Sequence, residues 1–244
     1  LPPETENTLA SRTFRVQAHG LGGWRFDPLF HAFEMWHAIE QAGVPSLRLG
    51  AICTSVKTGF AAGGKDQAEG DDGIIQIRPT NIDSDRRLKF DRNIYVSADL
   101  ARYRPREILK LGEVLFNNTN SQALVGKTTL FDMSDRLYAC SNHITRITVN
   151  PDRALPEYLT AILNLYQRRK AFFSICTNWN NQSGVGADLL RKIVIPVPDM
   201  SVQQKIVEEI TATFSKAANV KAKATRDLEI AKHEIEAILL GGAT

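Results

Sequence analysis

Residues 201–240, SVQQKIVEEITATFSKAANVKAKATRDLEIAKHEIEAILL, decide the architecture of the C-terminal part of the chain. Apolar side chains recur there at alternating steps of three and four residues, which is the spacing of a coiled-coil heptad. Ser201 and Gln204 have the spacing of a capping box at the N-terminal end of a helix. We therefore predict a long helix that packs against a partner helix, as in a homodimer. Lys221 interrupts the predicted seam, whose nine apolar positions are Val207, Ile210, Phe214, Ala217, Ala224, Leu228, Ala231, Ile235 and Ile238.

A helix of this length would extend about 60 Å, farther than one domain of the remaining size would cover. Packing of the helix along its own domain is the alternative. The segment contains six Lys or Arg and six Asp or Glu residues, so the net charge of +3 comes from the preceding residues. We divide the chain into an N-terminal tail (1–23), a domain (24–198) and the helix (199–241).

Upstream of the helix, the sequence pattern alternates between helices and strands. Positions 27–28 carry an N-cap aspartate and a proline that predict the start of a first helix, and the Gly-Val-Pro of 43–45 predicts its end. A second helix is predicted over 156–173, followed by a loop over 178–186 and a strand over 192–197. The other predicted strands are 51–57, 73–78, 94–97, 113–117, 124–131 and 143–149. The predicted fold is a mixed α/β (α+β) domain with a long C-terminal coiled-coil helix.

The composition is that of an ordinary globular protein, with 43% hydrophobic and 23% charged residues among 244. No apolar run is long enough to cross a bilayer, and the acidic N-terminal residues lack the layout of a signal peptide. Three widely spaced cysteines fit neither a disulfide framework nor a metal site, so we expect a cytoplasmic protein without metal. Basic clusters occur at 86–89, 102–106 and 168–170, and solvated surface is their simplest interpretation.

The sequence contains no recognisable catalytic motif. Residues 59–65, GFAAGGK, match a phosphate-binding loop up to its lysine, but Asp66 stands where Ser or Thr would bind Mg²⁺. The histidines lack paired metal-ligand spacing, and no nucleophile elbow occurs. Residues 1–4, LPPE, do not match the Asn/Asp-Pro-Pro-aromatic motif of adenine methyltransferases. We therefore predict a protein that is not an enzyme and holds no cofactor of its own.

An unusual polar segment follows one predicted strand. The apolar run at 114–116 continues directly into Asn-Asn-Thr-Asn-Ser at 117–121, and a second apolar run begins at Leu124. Asn, Ser and Thr side chains both donate and accept hydrogen bonds, which suits contacts with base edges and phosphate oxygens. A simple turn, which Asn and Ser also favour, is the alternative.

Further motifs accompany this segment in a fixed order along residues 25–240. They are IRPTN at 77–81, LFNNTNS at 115–121 with LVGK at 124–127, SNHI at 141–144 with Arg146, LPEYL at 155–159, NQ at 181–182, LRKIVIPVP at 190–198 and QQKIV at 203–207. The ordered set resembles the target-recognition domains and spacer helices of type I restriction-modification specificity subunits. Residues 1–23 match nothing in that pattern.

The resemblance implies a non-catalytic DNA-binding chain. Its expected partners are double-stranded DNA, a DNA methyltransferase (modification) subunit that uses S-adenosylmethionine, and a restriction/translocase subunit. Specificity subunits of this family have two recognition domains and two antiparallel helices, and recognise a target in two parts. This chain has one of each, which implies either a half-subunit that forms a homodimer or the recognition region of a longer specificity chain or fused methyltransferase. A coiled-coil adaptor that binds protein rather than DNA is the rival interpretation.

The same resemblance suggests which side chains contact DNA. The predicted phosphate contacts are Lys65, Lys127, Arg146, Arg168 and Arg169. The predicted base contacts are Arg78, Thr80, Asn81, Asn117, Asn118, Thr119, Asn120, Ser121, Asn181 and Gln182.

Overall fold

The computed structural model describes residue 39 and residues 43–64, 66–68, 72–180 and 182–241. The N-terminal tail and the helix predicted to begin at position 27 lie outside these residues. The chain divides after Met200 into two units, a mixed α/β domain and a helical segment. This architecture confirms the predicted fold class.

The domain is built from short strands. They are β1 Ser46–Arg48, β2 Cys53–Thr58, β3 Ile74–Ile77, β4 Tyr95–Val96, β5 Val114–Asn117, β6 Thr119–Asn120, β7 Thr128–Leu130, β8 Tyr138–Cys140, β9 Ile144–Val149, β10 Thr177–Trp179, β11 Gln182–Gly184 and β12 Val194–Pro196. The helices whose bounds lie within the described part of the domain are α1 Leu100–Tyr103, α2 Pro156–Arg168, α3 Ala171–Ile175 and α4 Ala187–Lys192, with 3-10 turns at Leu49–Ala51, Pro79–Asn81 and Pro105–Glu107.

The central sheet is antiparallel, with the strand order β2-β9-β5-β7. Its middle strand β5 is buried on both faces, since successive side chains of a strand point to opposite sides. Val114 and Phe116 pack with Leu163 of α2, whereas Leu115 packs with Ile77 and other residues of a second sheet, β4-β3-β8. Two core layers therefore enclose β5, which explains its uninterrupted apolar sequence.

The strand predicted at 124–131 begins only at Thr128. Residues 122–126 form a turn, in which the Leu124 N–H donates to the Ser121 carbonyl (2.9 Å) and Gly126 has a φ of +92°. A Cβ at Gly126 would lie 2.2 Å from the ring of the buried Phe172, so only glycine fits here. The apolar residues of this turn resembled a strand because Val125 is also buried.

The helix predicted over 156–173 is two helices. Pro156 occupies the first turn of α2 as expected, but Lys170 adopts a left-handed backbone (φ 63°) that ends the helix and starts α3. This break turns Phe172 into the core, where its ring lies 4.9 Å from that of Phe116, centroid to centroid. Burial of the aromatic side chain offsets the conformational strain at Lys170.

The C-terminal unit is the helix α5, Met200–Leu239, as the heptad pattern predicted. The prediction of a capping box at Ser201 and Gln204, however, is wrong. The helix begins one residue before Ser201, which places Ser201 inside the first turn. The Gln204 side-chain amide donates to Glu208 (3.0 Å), one turn ahead, instead of returning to the N-terminus.

None of the described helices is both long enough and apolar enough to traverse a bilayer. Within the same part of the chain, His, Cys, Asp and Glu side chains do not form a group of three or more that could hold a metal ion.

Candidate nucleic-acid interface

Several loops meet at one end of the domain. The Ser141 N–H donates to the Ile77 carbonyl (2.9 Å), and the Asn118 N–H donates to the His143 carbonyl (3.0 Å). These bonds bring together the loops that follow β3, β5 and β8. The resulting surface, which we call the polar rim, consists of residues 78–84, 119–127 and 141–143.

A cleft of about 640 Å³ opens along the polar rim. Thr80 and Asn81 line one side of it, and Asn120 and Lys127 line another. Lys89 and Arg92 add two further basic side chains. The structure therefore brings residues of the IRPTN and LFNNTNS motifs, about forty positions apart in the sequence, to one concave surface.

A β-hairpin extends this surface. Strands β10 and β11 pair with each other, and β11 pairs with β6 so that Ser183 lies opposite Asn120 and Gly184 opposite Thr119. Gln182 therefore precedes Ser183, the residue that lies opposite Asn120. Asn181, which was predicted to contact bases, lies outside the described residues, as does the predicted phosphate contact Lys65.

The first two asparagines of the polar segment are internal, which corrects their predicted role as base contacts. The Asn117 side chain has no exposed surface and donates to the Leu124 carbonyl (3.3 Å). The Asn118 amide donates to the Asn142 carbonyl (3.2 Å) and to the Thr145 hydroxyl (3.0 Å), and its oxygen accepts from Thr119 (2.7 Å). Their hydrogen-bonding groups hold loops together and face away from solvent.

Asn81 is also internal, and its predicted base contact is corrected in the same way. Its side-chain oxygen accepts from the Arg78 N–H (2.9 Å), and its amide donates to the Lys89 carbonyl (2.9 Å). The Asn81 side chain therefore closes the loop that forms one wall of the cleft.

Arg146 was predicted to contact phosphate, and the structure contradicts this. The residue is buried in β9, and its guanidinium donates to the backbone carbonyls of Arg106 and Ile108 (3.3 Å to the latter). A planar group with several donors suits this structural role. Arg146 anchors the segment that follows α1 to the sheet.

The remaining predicted contacts are accessible. Thr119, Asn120 and Lys127 are half-buried, and the exposed ones are Arg78, Thr80, Ser121, Arg168, Arg169 and Gln182. The Lys127 ammonium donates to the Ile82 carbonyl (3.3 Å) at the cleft. Partial burial, followed by repulsion from Arg86, lowers its pKa. For these accessible residues, contact with DNA remains a prediction.

Two of the three cysteines, Cys53 and Cys140, are not activated. Burial raises the pKa of the Cys53 and Cys140 thiols to about 12. A thiol with such a pKa is almost entirely protonated near neutral pH and is a poor nucleophile. Cys140 is buried in one core layer and the half-buried Cys53 packs against the other, so both side chains have a packing role.

Comparison with known proteins assigns this architecture to a family. The model of the type I restriction modification DNA specificity domain matches residues 46–228, three quarters of the chain. The chain belongs to this family. The specificity-domain match includes the central sheet, the polar rim, the hairpin and most of α5.

Individual relatives agree with the family match. A putative type I restriction enzyme MjaX specificity subunit of Methanocaldococcus jannaschii is 24% identical over 155 residues, which cover 59% of this chain and 36% of that protein. A chain from a structural study of the assembly and conformational transition of a type I restriction-modification system has a TM-score of 0.57 at 15% identity, covering 82% of this chain and 49% of its own length.

The HsdS subunit of Thermoanaerobacter tengcongensis has a TM-score of 0.50 at 18% identity. It covers 80% of this chain and 49% of its own length. At such identities the structural likeness demonstrates the fold. The specificity-domain chain spans about a third of the curated relative and about half of each of these solved chains.

Sequence reasoning missed one side chain of this specificity domain, Trp179. Its indole is 45% exposed and lies across the hairpin, so that a Cβ at Gly184 would come within 2.4 Å of the ring. The segment was interpreted as a loop because it is rich in Asn and Gly. The pair Asn180-Asn181 between two short segments was the available indication, since Asn favours the positive φ of tight hairpin turns, and Asn180 has a φ of 37°.

Proposed function

We propose that this chain binds a specific DNA sequence through the polar rim and the hairpin, as the specificity component of a type I restriction-modification system. The observation that carries the proposal is the convergence of Thr80, Asn120 and Lys127 on one cleft, with Gln182 on the adjacent hairpin strand. These side chains belong to motifs that are far apart in the sequence. They supply the hydrogen-bonding and cationic groups that base edges and phosphates require.

Two kinds of contact with DNA would have different roles, one in affinity and the other in sequence discrimination. Basic side chains such as Lys127, Arg168 and Arg169 would bind phosphates, which gives salt-dependent affinity without sequence preference. Asn120, Ser121 and the exposed polar residues would bind base edges, where a good bidentate contact discriminates by about 1–3 kcal/mol. Backbone hydrogen bonds join the hairpin to the rim, so the backbone that carries these side chains would need little rearrangement on binding.

The long helix would determine how two recognition domains are combined. Four of the larger seam residues are exposed in the single chain: Phe214 (46%), Leu228 (56%), Ile235 (57%) and Ile238 (72%). We propose that α5 packs against α5 of a second copy through this seam. A two-fold homodimer would present two equivalent rims to a target in two half-sites, separated by a spacer that the protein does not contact.

Catalysis would belong to other subunits. We propose that a DNA methyltransferase subunit binds S-adenosylmethionine and flips an adenine of the target out of the duplex. A restriction/translocase subunit would act on targets that lack the mark. This chain, acting in the cytoplasm, would supply recognition to both.

DNA binding is tested with the full chain and a random duplex library. Bound duplexes are enriched and sequenced, and the affinity for an enriched duplex is measured by fluorescence anisotropy at several KCl concentrations. We expect one enriched motif and an affinity that falls steeply with salt. If no motif is enriched, the proposal is wrong. It is also wrong if the chain shows no salt-dependent binding to DNA, which is the result expected of a protein-binding adaptor.

Dimerisation is tested by analytical ultracentrifugation of Leu228→Lys and Ile235→Lys. Each places a charge in the seam, so we expect monomers at concentrations where the unsubstituted chain is dimeric. Ile230→Lys is the matched control, because Ile230 is as exposed (57%) but lies outside the seam. If all three variants form monomers to the same extent, or if none does, the proposed packing through the seam is wrong.

A further inference from the structure

We propose that Arg86, Lys127 and Arg168 form a single site for one backbone phosphate of the DNA, at the edge of the cleft. This inference rests on the proposed function and deepens it. Arg86 belongs to a basic cluster that the sequence presented as ordinary surface, and no motif identified it. In the structure Arg86 is half-buried, unlike the other basic residues of the cluster at 86–89, which are exposed.

The Arg86 side chain is held in place. Its guanidinium donates to the Gln167 side-chain oxygen (2.6 Å), and the Gln167 amide donates to the Ala123 carbonyl (2.9 Å). Gln167 thus connects Arg86 to the last turn of α2 and to the turn that precedes Lys127. An arginine fixed at a junction of three segments differs from a solvated one, which loses side-chain entropy when it binds.

The Arg86 backbone is also constrained. Asp83 and Arg87 close a tight turn around it, with the Asp83 side chain accepting from the Arg87 N–H (2.9 Å) and the Asp83 N–H donating to the Arg87 carbonyl (3.0 Å). Within this turn Arg86 has a φ of 64°. A left-handed conformation is unfavourable for a residue that carries a Cβ. Strain of this kind often accompanies a functional position.

Arg86 interacts electrostatically with Arg168, with Lys127 and with Asp83. Partial burial and then repulsion from Arg168 lower the pKa of Arg86, and Arg86 in turn contributes to the lowered pKa of Lys127. Asp83 is the carboxylate that opposes both shifts. Lys89 acts on Lys127 too, but it forms an ion pair with Asp91 (3.3 Å). A bound anion would relieve the repulsion among the three cations of the proposed site.

A DNA phosphate is the anion that fits this position. Lys127 lines the same cleft as Thr80 and Asn120, so a strand whose bases reach those side chains would carry its phosphates past the cleft edge. A phosphodiester also offers several oxygens to the arginine and lysine donors. Free inorganic phosphate shares this chemistry and is distinguished by the test.

The test compares Arg86→Met and Arg168→Met in the full chain by fluorescence anisotropy, with an enriched and an unrelated duplex over a KCl series. Loss of one charge-assisted phosphate contact should weaken both duplexes equally, by about tenfold. The slope of log affinity against log salt should fall by about 1. Arg102→Met is the control, since Arg102 is exposed on α1 and does not line the described cleft, and it should match the unsubstituted chain.

The double variant distinguishes one shared site from two separate ones. If both arginines hold the same phosphate, the combined loss should be clearly smaller than the product of the two single losses. Independent, multiplicative losses would overturn the shared site, and so would a salt slope equal to that of the unsubstituted chain. Arg168 is exposed, so its variant remains informative even if Arg86→Met unfolds.

Two outcomes separate this inference from the proposed function. If the unsubstituted chain binds DNA and neither variant weakens it, the phosphate site is wrong while the function stands. If the unsubstituted chain shows no salt-dependent binding, both are wrong. If millimolar inorganic phosphate binds the unsubstituted chain but not Arg86→Met, while both bind the duplex with equal affinity, the site takes free phosphate and the assignment to DNA is overturned.

Discussion

The two halves of the segment 117–121 have the same chemistry and opposite surroundings. Asn117 and Asn118 are buried, and their amides bond to the protein, whereas Asn120 lines the cleft and Ser121 is exposed. The difference arises because β5 lies between two core layers, and the chain leaves them only after residue 118. Side-chain type sets the capacity for hydrogen bonds, and position relative to the sheet decides what they bind.

The basic side chains show the same contrast. Arg146 is buried in β9 and donates to backbone carbonyls, whereas Arg168 is exposed at the end of α2. Substitutions at internal positions should therefore reduce stability, and substitutions at accessible positions should alter DNA binding. The expected loss in the free energy of unfolding is largest for Arg146 and decreases through Asn118 and Asn117 to Asn120.

Arg146→Met should give the largest loss. It removes, from a buried position, the charged donor to the carbonyls of Arg106 and Ile108, and a hydrogen bond to a charged group contributes about 1.5–3 kcal/mol. We expect a loss of about 3 kcal/mol in urea unfolding. Arg168→Met is the control and should unfold within about 0.5 kcal/mol of the unsubstituted chain. Similar losses of unfolding free energy in the two variants would show that the internal and the accessible arginine do not differ in structural role.

Asn118→Ala should follow, with a loss of about 2 kcal/mol. The substitution removes donors to Asn142 and Thr145 and the acceptor of the Thr119 hydroxyl, all in buried or half-buried surroundings. Urea unfolding measures the loss, and hydrogen exchange should show weaker protection in the neighbouring strand β6. A chain of unchanged stability that no longer prefers its target would instead identify Asn118 as a base contact.

Asn117→Leu should have a smaller effect, less than about 1 kcal/mol. Its one side-chain bond, to the Leu124 carbonyl, is long at 3.3 Å, and the Asn117 side-chain oxygen has no partner among the described residues. Leucine has a similar shape and removes that unsatisfied oxygen, which offsets the lost bond. Thermal unfolding monitored by circular dichroism provides the comparison. A loss as large as that of Asn118→Ala would show that a hidden partner satisfies the oxygen.

Asn120→Ala should leave the unfolding free energy within about 0.5 kcal/mol, because the side chain is half-exposed. Preference at one base position should weaken by about 1–3 kcal/mol, while affinity for unrelated duplex persists. Enrichment from a random duplex library measures both. An unchanged enriched motif would remove Asn120 from the proposed base contacts.

Much of the fold was predictable from periodicity. The long helix, the strands β2, β3, β5 and β9 and the start of α2 follow from apolar spacing and from Pro156. The break at Lys170 was not predictable, because a left-handed lysine has no sequence signature and depends on the burial of Phe172. Strands of two or three residues, such as β1 and β8, are too short for alternation to be detected.

The candidate site was predictable only as a set of motifs. Their order along the chain indicated Thr80, Asn120, Lys127 and Gln182, which the structure brings to one surface or its neighbouring strand. The sequence could not separate these from Asn81 or Arg146, because burial depends on contacts between distant segments. Arg86 and Trp179 escaped for a related reason, since their importance comes from the neighbours that tertiary structure provides.

The attachment of the hairpin has an evolutionary consequence. Its strand β11 is joined to β6 through the backbone, and the Val185 N–H bonds to the Asn118 carbonyl (2.9 Å). Main-chain groups are common to all residues except proline, which lacks the N–H. Outward-facing residues here can therefore be exchanged one at a time without rebuilding the domain. A lineage that carries such a protein could therefore change the motif that we propose it recognises through point mutation alone.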